Sequence, residues 1–489
     1  MFTKQDKETI ESRGLSVSAI EEQLTHFQEG FPPLDIVEPA VPGNGIIQPD
    51  QAEQNRYAAL YEGWKGTRVK FVPASGAASR MFSHLFQAQE ELQTGGKQAL
   101  NANALLFFER LKEFAFYPLL EKQPIDLSDK QQVLRSLLTD EGLGYAQLPK
   151  GLIPFHKYEE GPKTPFEEHL TEAALSTANP DGTAAVHFTV SEEHEPLFKA
   201  LWEQIQEAVT LRFGLTFAVS FSNQSPSTDT LAVQMNNTPF RNDDGSLLFR
   251  PGGHGALLKN LHTLKEDLIV IRNIDNVVPE TRLEPVLFWR KVLAGFLLDC
   301  QHQAHDYIRI LKKNKADKDL VHEVVDFLKK TFCITRLPLN YDNIPECASA
   351  LIAVLDRPIR VCGMVPVSGE PGGGPFKVRE EDGSISLQIL EEVQLGGKKY
   401  PSTHFNPVDI VCSIKDPMGN LYDLQKFADP KTGFISHKTM EGRELRALEW
   451  PGLWNGAMSR WNTVFVEVPL STFNPVKTTI DLLRKEHNN

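Results

Sequence analysis

The sequence has no apolar segment long enough to cross a membrane. A membrane helix needs about 18 or more consecutive apolar residues, and the best apolar stretch, residues 292–298, is short and interrupted by Gly295. The first eight residues, MFTKQDKE, also lack the apolar core of a signal peptide. We therefore expect a cytoplasmic protein with no membrane partner.

Cysteine is scarce and its spacing is irregular. Five cysteines occur in 489 residues, none in a C-x-x-C pair, which excludes a disulfide framework and a zinc ribbon and fits a reducing compartment. The closest metal-like spacing is Cys300, His302 and His305. Polar neighbours such as Gln301 and Gln303 indicate a solvated helix face instead. We expect no metal there.

Excess positive charge is also absent. The chain has 51 Lys and Arg residues against 64 Asp and Glu residues, a net charge of −13. This charge opposes a general polyanion-binding surface, so we expect no nucleic-acid partner. Neither G-x-x-x-x-G-K-[ST] nor G-x-G-x-x-G occurs, which excludes the two commonest phosphate-binding motifs.

From about residue 184 the sequence alternates between strands and helices. Strands are predicted at 184–190, 216–221 and 268–274, and helices at 196–213 and 256–264. This alternation predicts an α/β fold with a mixed, mainly parallel sheet flanked by helices. Later strands are predicted at 359–367, 384–390, 409–414 and 463–468, followed by a last helix at 476–484. Residues 31–49, with five prolines, are predicted as loop.

The domain organisation follows from the same patterns. A length of 489 residues corresponds to roughly three domain-sized units. We predict an N-terminal helical arm at 1–65 and a core at 66–400, with a helical insertion at 84–147 and a helical segment at 281–330. Residues 401–489 are expected to supply C-terminal strands and a helix that complete the site.

A run of six small residues follows the predicted strand 69–73 and precedes Arg80. Small residues between a strand and a helix let backbone N–H groups approach an anion, and an arginine binds phosphate in a bidentate fork. The same run also fits an ordinary tight turn. The candidate phosphate-binding residues are Ala74, Ser75, Gly76, Ala77, Ala78 and Ser79.

Three other short segments carry residues suited to phosphate chemistry. Lys150 lies between a proline and a glycine, which restricts its backbone, although a lone lysine is usually a surface residue. Asp275 comes just after a predicted buried strand, where open α/β sheets bind ligands and where a turn-forming aspartate also fits. His254 lies in the segment PGGHG, which leads into a predicted helix.

In chain order these motifs resemble those of the nucleotide-sugar pyrophosphorylases, the sugar-1-phosphate nucleotidyltransferases of the GT-A-like, Rossmann-like fold. Residues 73–81, PASGAASRM, are similar to the family's opening loop L-x-A-G-G-x-G-T-R-[ML], and residues 149–154 to its P-K-x-L-x-P segment. Residues 251–255, PGGHG, and 473–477, FNPVK, resemble motifs of the uridylyltransferase branch. The segment 273–276 resembles its metal-bearing strand end. The resemblance covers about residues 66–480, and we also expect membership in a bacterial family known only as a domain of unknown function.

The resemblance implies transfer of a nucleotidyl group from an NTP, UTP by the uridylyl motifs, to a sugar-1-phosphate with release of pyrophosphate. Arg80 would neutralise the β- and γ-phosphates, while Lys150 and Lys477 would hold the α-phosphate and the sugar phosphate. Asp275 would hold Mg²⁺, with Asn406 or Asp409 as a second ligand. Gly253, His254 and Gly255 would meet the ribose or base.

Sugar binding is assigned to two further segments. The E-Y-S-E region of the uridylyltransferases is not evident, and Glu391 is the nearest candidate for a carboxylate that binds sugar hydroxyls. Trp454 and Asn455 belong to a tryptophan-rich stretch at 450–462. Tryptophan faces with amides suit a sugar, and a tryptophan-rich corner of the core explains the stretch equally well.

The loop departs from the family pattern at its glycines. Ala74-Ser75 and Ala78 stand where the motif has glycine, which narrows the approach of a triphosphate. A non-catalytic nucleotide or nucleotide-sugar binding protein on the same fold is therefore an alternative. A GT-A glycosyltransferase is a third, but Asn273-Ile274-Asp275 supplies only half of its D-x-D motif. The base, the sugar and the oligomeric state are left open.

Overall fold

A computed structural model describes residues 2–76, 78–93, 100–313, 316–367, 373–440 and 442–488, except for the side chain of Asn406. The chain forms two compact units. The first unit contains residues 1–64, 224–268 and 292–468. The second unit contains residues 65–223, 269–291 and 469–489.

Helices and strands are numbered in chain order. The α-helices are α1 (Lys4–Ser12), α2 (Val17–Glu29), α3 (Gln51–Gly63), α4 (Ser83–Gln93), α5 (Ala102–Glu109), α6 (Tyr117–Glu121), α7 (Lys130–Leu138), α8 (Pro165–Ser176), α9 (Glu195–Phe213), α10 (Leu258–Leu261), α11 (Glu284–Lys312), α12 (Lys318–Phe332) and α13 (Ile344–Leu355). The strands are β1 (Asp35–Pro39), β2 (Val41–Pro42), β3 (Gly45–Ile47), β4 (Arg68–Pro73), β5 (Thr183–Val190), β6 (Thr216–Asn223), β7 (Thr230–Val233), β8 (Phe249–Arg250), β9 (Leu268–Ile271), β10 (Ile359–Pro366), β11 (Gly374–Arg379), β12 (Ile385–Leu390), β13 (His404–Ser413), β14 (Phe434–Met440), β15 (Arg443–Glu449) and β16 (Asn462–Glu467).

The second unit is built on strands in the order β9-β4-β5-β6. The pairs β4/β5 and β5/β6 are parallel, and α9 connects β5 to β6. Buried Phe166 of α8 and Phe198 of α9 pack against Val186 and Phe188 of β5. This confirms the predicted mixed α/β fold with a mainly parallel sheet and flanking helices.

The segment predicted as a helical insertion contains α4 to α7, whose apolar side chains form a core together with residues from other parts of the second unit. Phe107, Phe114 and Phe116 pack with their ring centroids 5.0 to 6.5 Å apart. Ala78 and Met81, which follow β4, belong to the same cluster. The turn after β4 is therefore held in place by apolar contacts of Ala78 and Met81 with the insertion.

The first unit contains three groups of strands. One has the order β2-β3-β16-β10-β13, with β3, β16 and β10 parallel and β13 antiparallel to β10. The others are the antiparallel sheets β1-β11-β12 and β14-β15-β7-β8. The N-terminal helices pack Ile10, Ile20 and Leu24 against Leu231 and Leu448 of the latter sheet.

The sequence interpretation was wrong in several elements. Residues 31–49 include β1, which pairs with β11, because prolines are tolerated at a sheet edge. The predicted last helix is only a 3₁₀ turn, Thr479–Leu483, because the preceding residues are extended and pair with Asn276. Helix α1 and the strands β11, β14 and β15 were not predicted. Among the described residues, no helix is long and apolar enough to span a membrane.

Candidate functional site

The loop after β4 presents fewer backbone donors than the sequence suggests. The N–H groups of Ala74 and Ala78 donate to the carbonyls of Thr189 and Leu148, at 2.8 and 3.0 Å. Both alanine side chains are fully buried. This corrects the expectation that the whole run 74–79 is directed at an anion, because these two amides and methyl groups serve the core.

The remaining part of this loop lies at the surface. Ser75, Gly76, Ser79 and Arg80 are exposed, whereas Ala77 lies outside the described residues. An added Cβ at Gly76 would meet no atom within 4 Å. No carboxylate among the described residues lies within ion-pair distance of Arg80, so its guanidinium charge is available to a ligand.

Lys150 occupies the centre of the candidate site in the second unit. Its ammonium donates to Oδ2 of Asp275 at 2.8 Å and to the carbonyl of Val476 at 2.7 Å. Gly151 keeps this turn close to its neighbours, because an added Cβ would lie 2.9 Å from the ring of Phe198. The ammonium is therefore held in place by groups more than one hundred residues away in sequence.

The four sequence motifs of the second unit are joined by direct hydrogen bonds. The N–H of Lys150 donates to the carbonyl of Gly76 at 3.3 Å, and that of Val476 donates to the carbonyl of Asp275 at 3.0 Å. Thr479 donates through N–H and hydroxyl to the carbonyl of Met81, both at 3.0 Å. The segments around Arg80, Lys150, Asp275 and Lys477 thus meet in one place.

Lys477 reaches this place through its backbone. Its N–H donates to Oδ2 of Asp481 at 2.9 Å, and the same oxygen accepts from Thr478. The side chain of Lys477 is exposed. Its predicted contact with a sugar phosphate stays a prediction.

Beneath Asp275 lies a buried charge cluster that the sequence interpretation missed. Oε2 of Glu172 is 2.5 Å from Nζ of Lys70 and 2.8 Å from Nη2 of Arg290, and its Oε1 is 3.7 Å from Nε of Arg272. All four side chains are at most 1 % exposed. The Glu172 carboxylate therefore forms ion pairs with three buried cations.

Burial and charge act in opposite directions on these groups. Burial disfavours ionisation of Glu172, but the charges of Lys70, Arg290 and Arg272 outweigh it and hold the pKa of Glu172 well below its usual value. Burial lowers the pKa of Lys70 to about 7, against the attraction of Glu172. The signal in the sequence was a charged residue within or directly after an apolar run, Lys70 in VKFVP and Arg272 after LIVI.

The cluster holds the peptide groups on both sides of Asp275. Nε of Arg272 donates to the carbonyl of Asn276 at 2.7 Å, and its Nη2 donates to the carbonyl of Thr472 at 3.0 Å. Nε2 of His169 lies 3.3 Å from the carbonyl of Ile274. Since carbonyls only accept, His169 donates through Nε2. Asp275 is thus positioned by buried groups on either side.

A second group of predicted residues meets in the first unit, around His254. The N–H of Leu453 donates to Nδ1 of His254 at 3.2 Å, so Nδ1 carries no proton in this arrangement. Nε2 therefore bears the hydrogen and faces Oε1 of Glu391 at 3.3 Å. The imidazole ring lies 4.6 Å from the ring of Trp454, centroid to centroid.

Glycines allow the PGGHG segment and the tryptophan-rich stretch to pack against each other. A Cβ at Gly252 would lie 2.3 Å from the ring of Trp450, and one at Gly255 would lie 2.0 Å from the carbonyl of Pro451. A Cβ at Gly452 would lie 2.5 Å from Nε2 of His254. Gly253 has φ +80°, a conformation that favours glycine.

An open cavity of about 970 Å³ adjoins this group. Its lining includes His254, Glu391, Trp454 and Phe434. Asn455 is buried, donates through Nδ2 to the carbonyl of Ile389 at 3.0 Å and does not line the cavity, so its predicted contact with a sugar stays a prediction. The cavity combines an aromatic face with a carboxylate and an imidazole, groups that suit a hydroxylated ring.

The predicted metal ligands are distributed between the two units. Asp275 belongs to the second unit, whereas Asn406 and Asp409 belong to β13 of the first. Asp409 is buried, and the side chain of Asn406 lies outside the described part of the chain. Within the described ranges, no group of three His, Cys, Asp or Glu side chains is arranged to hold a metal ion. His302 pairs with Asp306 at 3.3 Å on its own helix.

The chain belongs to the family described as "Domain of unknown function (DUF4301)", whose profile matches residues 3–488. This confirms the expected membership in a family of unknown function. Comparison with curated protein sequences found no match.

Solved structures similar to the chain include two from trypanosomatids. A mutant of UDP-glucose pyrophosphorylase from Leishmania major in complex with UDP-glucose is 11% identical, with a TM-score of 0.44 over 99% of this chain and 79% of that chain. UDP-glucose phosphorylase from Trypanosoma brucei is 12% identical, with a TM-score of 0.42 over 98% of this chain and 77% of that chain. Identities and scores at this level do not transfer a function.

Proposed function

We propose that the chain is a nucleotidyltransferase that transfers a nucleotidyl group from an NTP to a sugar-1-phosphate and releases pyrophosphate. The carrying observation is the Lys150 ammonium, held between Asp275 and the Val476 carbonyl where four motif segments meet. A fixed ammonium where the segment carrying the exposed Arg80 also arrives suits a reaction in which negative charge develops on phosphate oxygens. The GT-A-like form of the fold is part of this proposal.

The reaction needs no protein nucleophile. An oxygen of the sugar-1-phosphate attacks the α-phosphorus in line, the bond from that phosphorus to the bridging oxygen breaks, and pyrophosphate leaves. Lys150 would contact the α-phosphate, Arg80 the β- and γ-phosphates, and Lys477 the sugar phosphate. Catalysis would then come from positioning and from neutralised charge.

In the first unit, the cavity beside His254 would bind a ribose or sugar. Trp454 would offer its ring to a C–H face, and Glu391 would accept from hydroxyls. The N–H of Leu453 donates to Nδ1 of His254, so the imidazole can donate to a ligand through Nε2. UTP is the first NTP to test, because the PGGHG and FNPVK segments resemble the uridylyltransferase branch.

Asp275 fits the role of a single magnesium ligand. One of its oxygens accepts from Lys150, and 22% of its side chain is exposed, so a cation can approach the side chain. Mg²⁺ binds proteins through one or two carboxylates together with water and substrate phosphates. Bound there, it would neutralise charge on the phosphates. A shift of the melting temperature by Mg²⁺ and UTP together, absent in Asp275→Asn, tests this assignment without turnover.

The alternative is a nucleotide or nucleotide-sugar binding protein without turnover. It is favoured by the loop after β4, where the Ala74 and Ala78 amides bond to protein carbonyls. Fewer backbone donors then remain to hold a triphosphate in the transition state.

Two assays test the enzyme and the non-catalytic alternative. The first is titration calorimetry with UTP and UDP-glucose, with and without Mg²⁺. The second measures pyrophosphate release over a panel of sugar-1-phosphates and all four NTPs. Lys150→Ala should weaken nucleotide binding by about 10- to 100-fold, since a hydrogen bond to a charged group contributes about 1.5–3 kcal/mol. Lys122→Ala, an exposed lysine of the same unit, is the matched control.

Binding without pyrophosphate release across the panel would select the non-catalytic reading. No binding of any NTP or nucleotide sugar by folded protein would refute both. Equal nucleotide binding by Lys150→Ala and Lys122→Ala would refute the role of the Lys150 ammonium, on which the proposal depends.

A further inference from the structure

A second cavity of the first unit is lined by none of the residues given a catalytic or sugar-binding role above. Its volume is about 610 Å³, within the range of small-molecule pockets. Leu258, Pro430, Pro451 and the ring of Trp450 supply apolar walls. The indole N–H of Trp450 donates to the carbonyl of Thr228 at 2.8 Å, so this ring is fixed in place.

Lys259 stands at the polar edge of this cavity. Its ammonium donates to Oγ of Ser225 at 3.2 Å and to Oγ of Ser227 at 2.8 Å. In the described part of the chain, no carboxylate lies within ion-pair distance of this ammonium. The other charged group in the lining, Asp423, is 3.6 Å from Lys426. The charge of Lys259 is therefore uncompensated, and His262 adds a further polar group to the lining.

The polar edge of the cavity has two hydrogen-bond donors left for a ligand. An ammonium has three N–H donors, of which Lys259 uses two on the serine hydroxyls. The two hydroxyls lie 2.9 Å apart, so one of their hydrogens joins them. One N–H and one O–H remain. Two neighbouring donors, one of them on a cation, match the two oxygens of a carboxylate.

We propose that this cavity binds a small aromatic monocarboxylate. The carboxylate accepts from Lys259 and from one of the Ser225 and Ser227 hydroxyls, and the aromatic body lies against Trp450 and the neighbouring prolines. An apolar pocket with a few convergent polar groups is the usual form of such a site.

The same cavity shares a wall with the one beside His254. Gly255 and Ala256 line the aromatic-acid cavity, while His254 of the same 3₁₀ turn lines the other. The tryptophan-rich stretch is shared too, with Trp450 on one side and Trp454 on the other. An occupant should therefore be detected at Trp454, whichever function the His254 cavity has.

The probes are 2-naphthoate and its neutral isostere 2-naphthamide, titrated by calorimetry into the full chain. We expect saturable naphthoate binding below about 1 mM and naphthamide binding at least about tenfold weaker, a difference of 1.4 kcal/mol or more. Lys259→Met should abolish this preference, and Ala428→Trp, which fills the cavity from its rim, should weaken both probes. Lys329→Met is the matched control, because that lysine is exposed on α12 and does not line the cavity.

Circular dichroism of each variant separates lost binding from lost folding. With 5-fluorotryptophan incorporated, ¹⁹F resonances assigned through Trp450→Phe and Trp454→Phe should both shift on addition of naphthoate. Equal affinity for the two probes, an unchanged preference in folded Lys259→Met, or no saturable binding would overturn the site. A shift of Trp450 without a shift of Trp454 would overturn the shared wall.

Discussion

Replacement of Glu172 by glutamine should be among the most destabilising single changes in the second unit. The substitution keeps the shape of the side chain but removes the negative charge that Lys70, Arg272 and Arg290 contact. The three buried cations would then lose the attraction of the Glu172 carboxylate. We expect a loss of about 3–5 kcal/mol in the free energy of unfolding, the range found when one partner of a buried ion pair is removed.

The magnitude follows from the distances in the cluster. At separations of 2.5 to 3.7 Å, each pair attracts by about 5 kcal/mol at an effective dielectric constant of about 20. Desolvation offsets much of this attraction while the cluster is intact. When the carboxylate is removed, the cost of burying the cations remains and the attraction is lost.

Urea unfolding of the full chain, followed by circular dichroism, measures the loss. The matched control is Glu195→Gln on α9, since Glu195 pairs with Lys199 at the surface in an i,i+4 arrangement. A pair of this kind contributes about 0.3–0.5 kcal/mol. In the Glu172→Gln background, Lys70→Met should recover part of the loss, with a coupling of about 0.5–3 kcal/mol. A Glu172→Gln protein as stable as Glu195→Gln would refute this account of the cluster.

The same cluster makes a pH prediction. Lys70 has a pKa of about 7 in the folded chain, against 10.5 as its ordinary value. Between these values the unfolded chain binds a proton that the folded chain does not, so Lys70 adds stability as the pH rises. The free energy of unfolding of wild type minus that of Lys70→Met should therefore increase from pH 7 to pH 10. A constant difference over that interval would contradict the lowered pKa.

Two further predictions concern packing and acid stability. Gly255→Ala should lower the melting temperature and disturb the His254 cavity, because its Cβ would lie 2.0 Å from the Pro451 carbonyl. Gly76→Ala is the control and should be tolerated, because its Cβ would meet no atom within 4 Å. Equal melting temperatures of the two variants would contradict this prediction. Burial lowers the pKa of His156 and of His487 to about 3, so the unfolded chain binds more protons below pH 6.5 and stability falls as the medium is acidified. Nε2 of His156 lies 3.0 Å from Nδ1 of His487. Between pH 7 and pH 5 in urea unfolding, His487→Gln should lose less stability than wild type, and an equal loss would contradict the lowered pKa of His487.

The local sequence determined much of the α/β framework. Strands β5 and β6 and helix α9 lie within a residue or two of their predicted bounds, because apolar periodicity and turn residues act over short distances. Lys150 and Asp275 could be selected for the same reason: a lysine next to a glycine turn and an aspartate at the end of an apolar strand are local patterns. The order of the motifs along the chain placed both residues in one site, but nothing in the sequence predicted their contact at 2.8 Å.

The tertiary structure decided which atoms of those motifs are available. Ala74 and Ala78 look like members of an anion-binding loop, yet their amides bond to carbonyls of Thr189 and Leu148, at positions far along the chain. The Glu172 cluster likewise unites residues of β4, α8 and α11 with Arg272, which follows β9. No short pattern encodes such contacts, since a buried polar group is satisfied by whichever partner the folded chain brings to it.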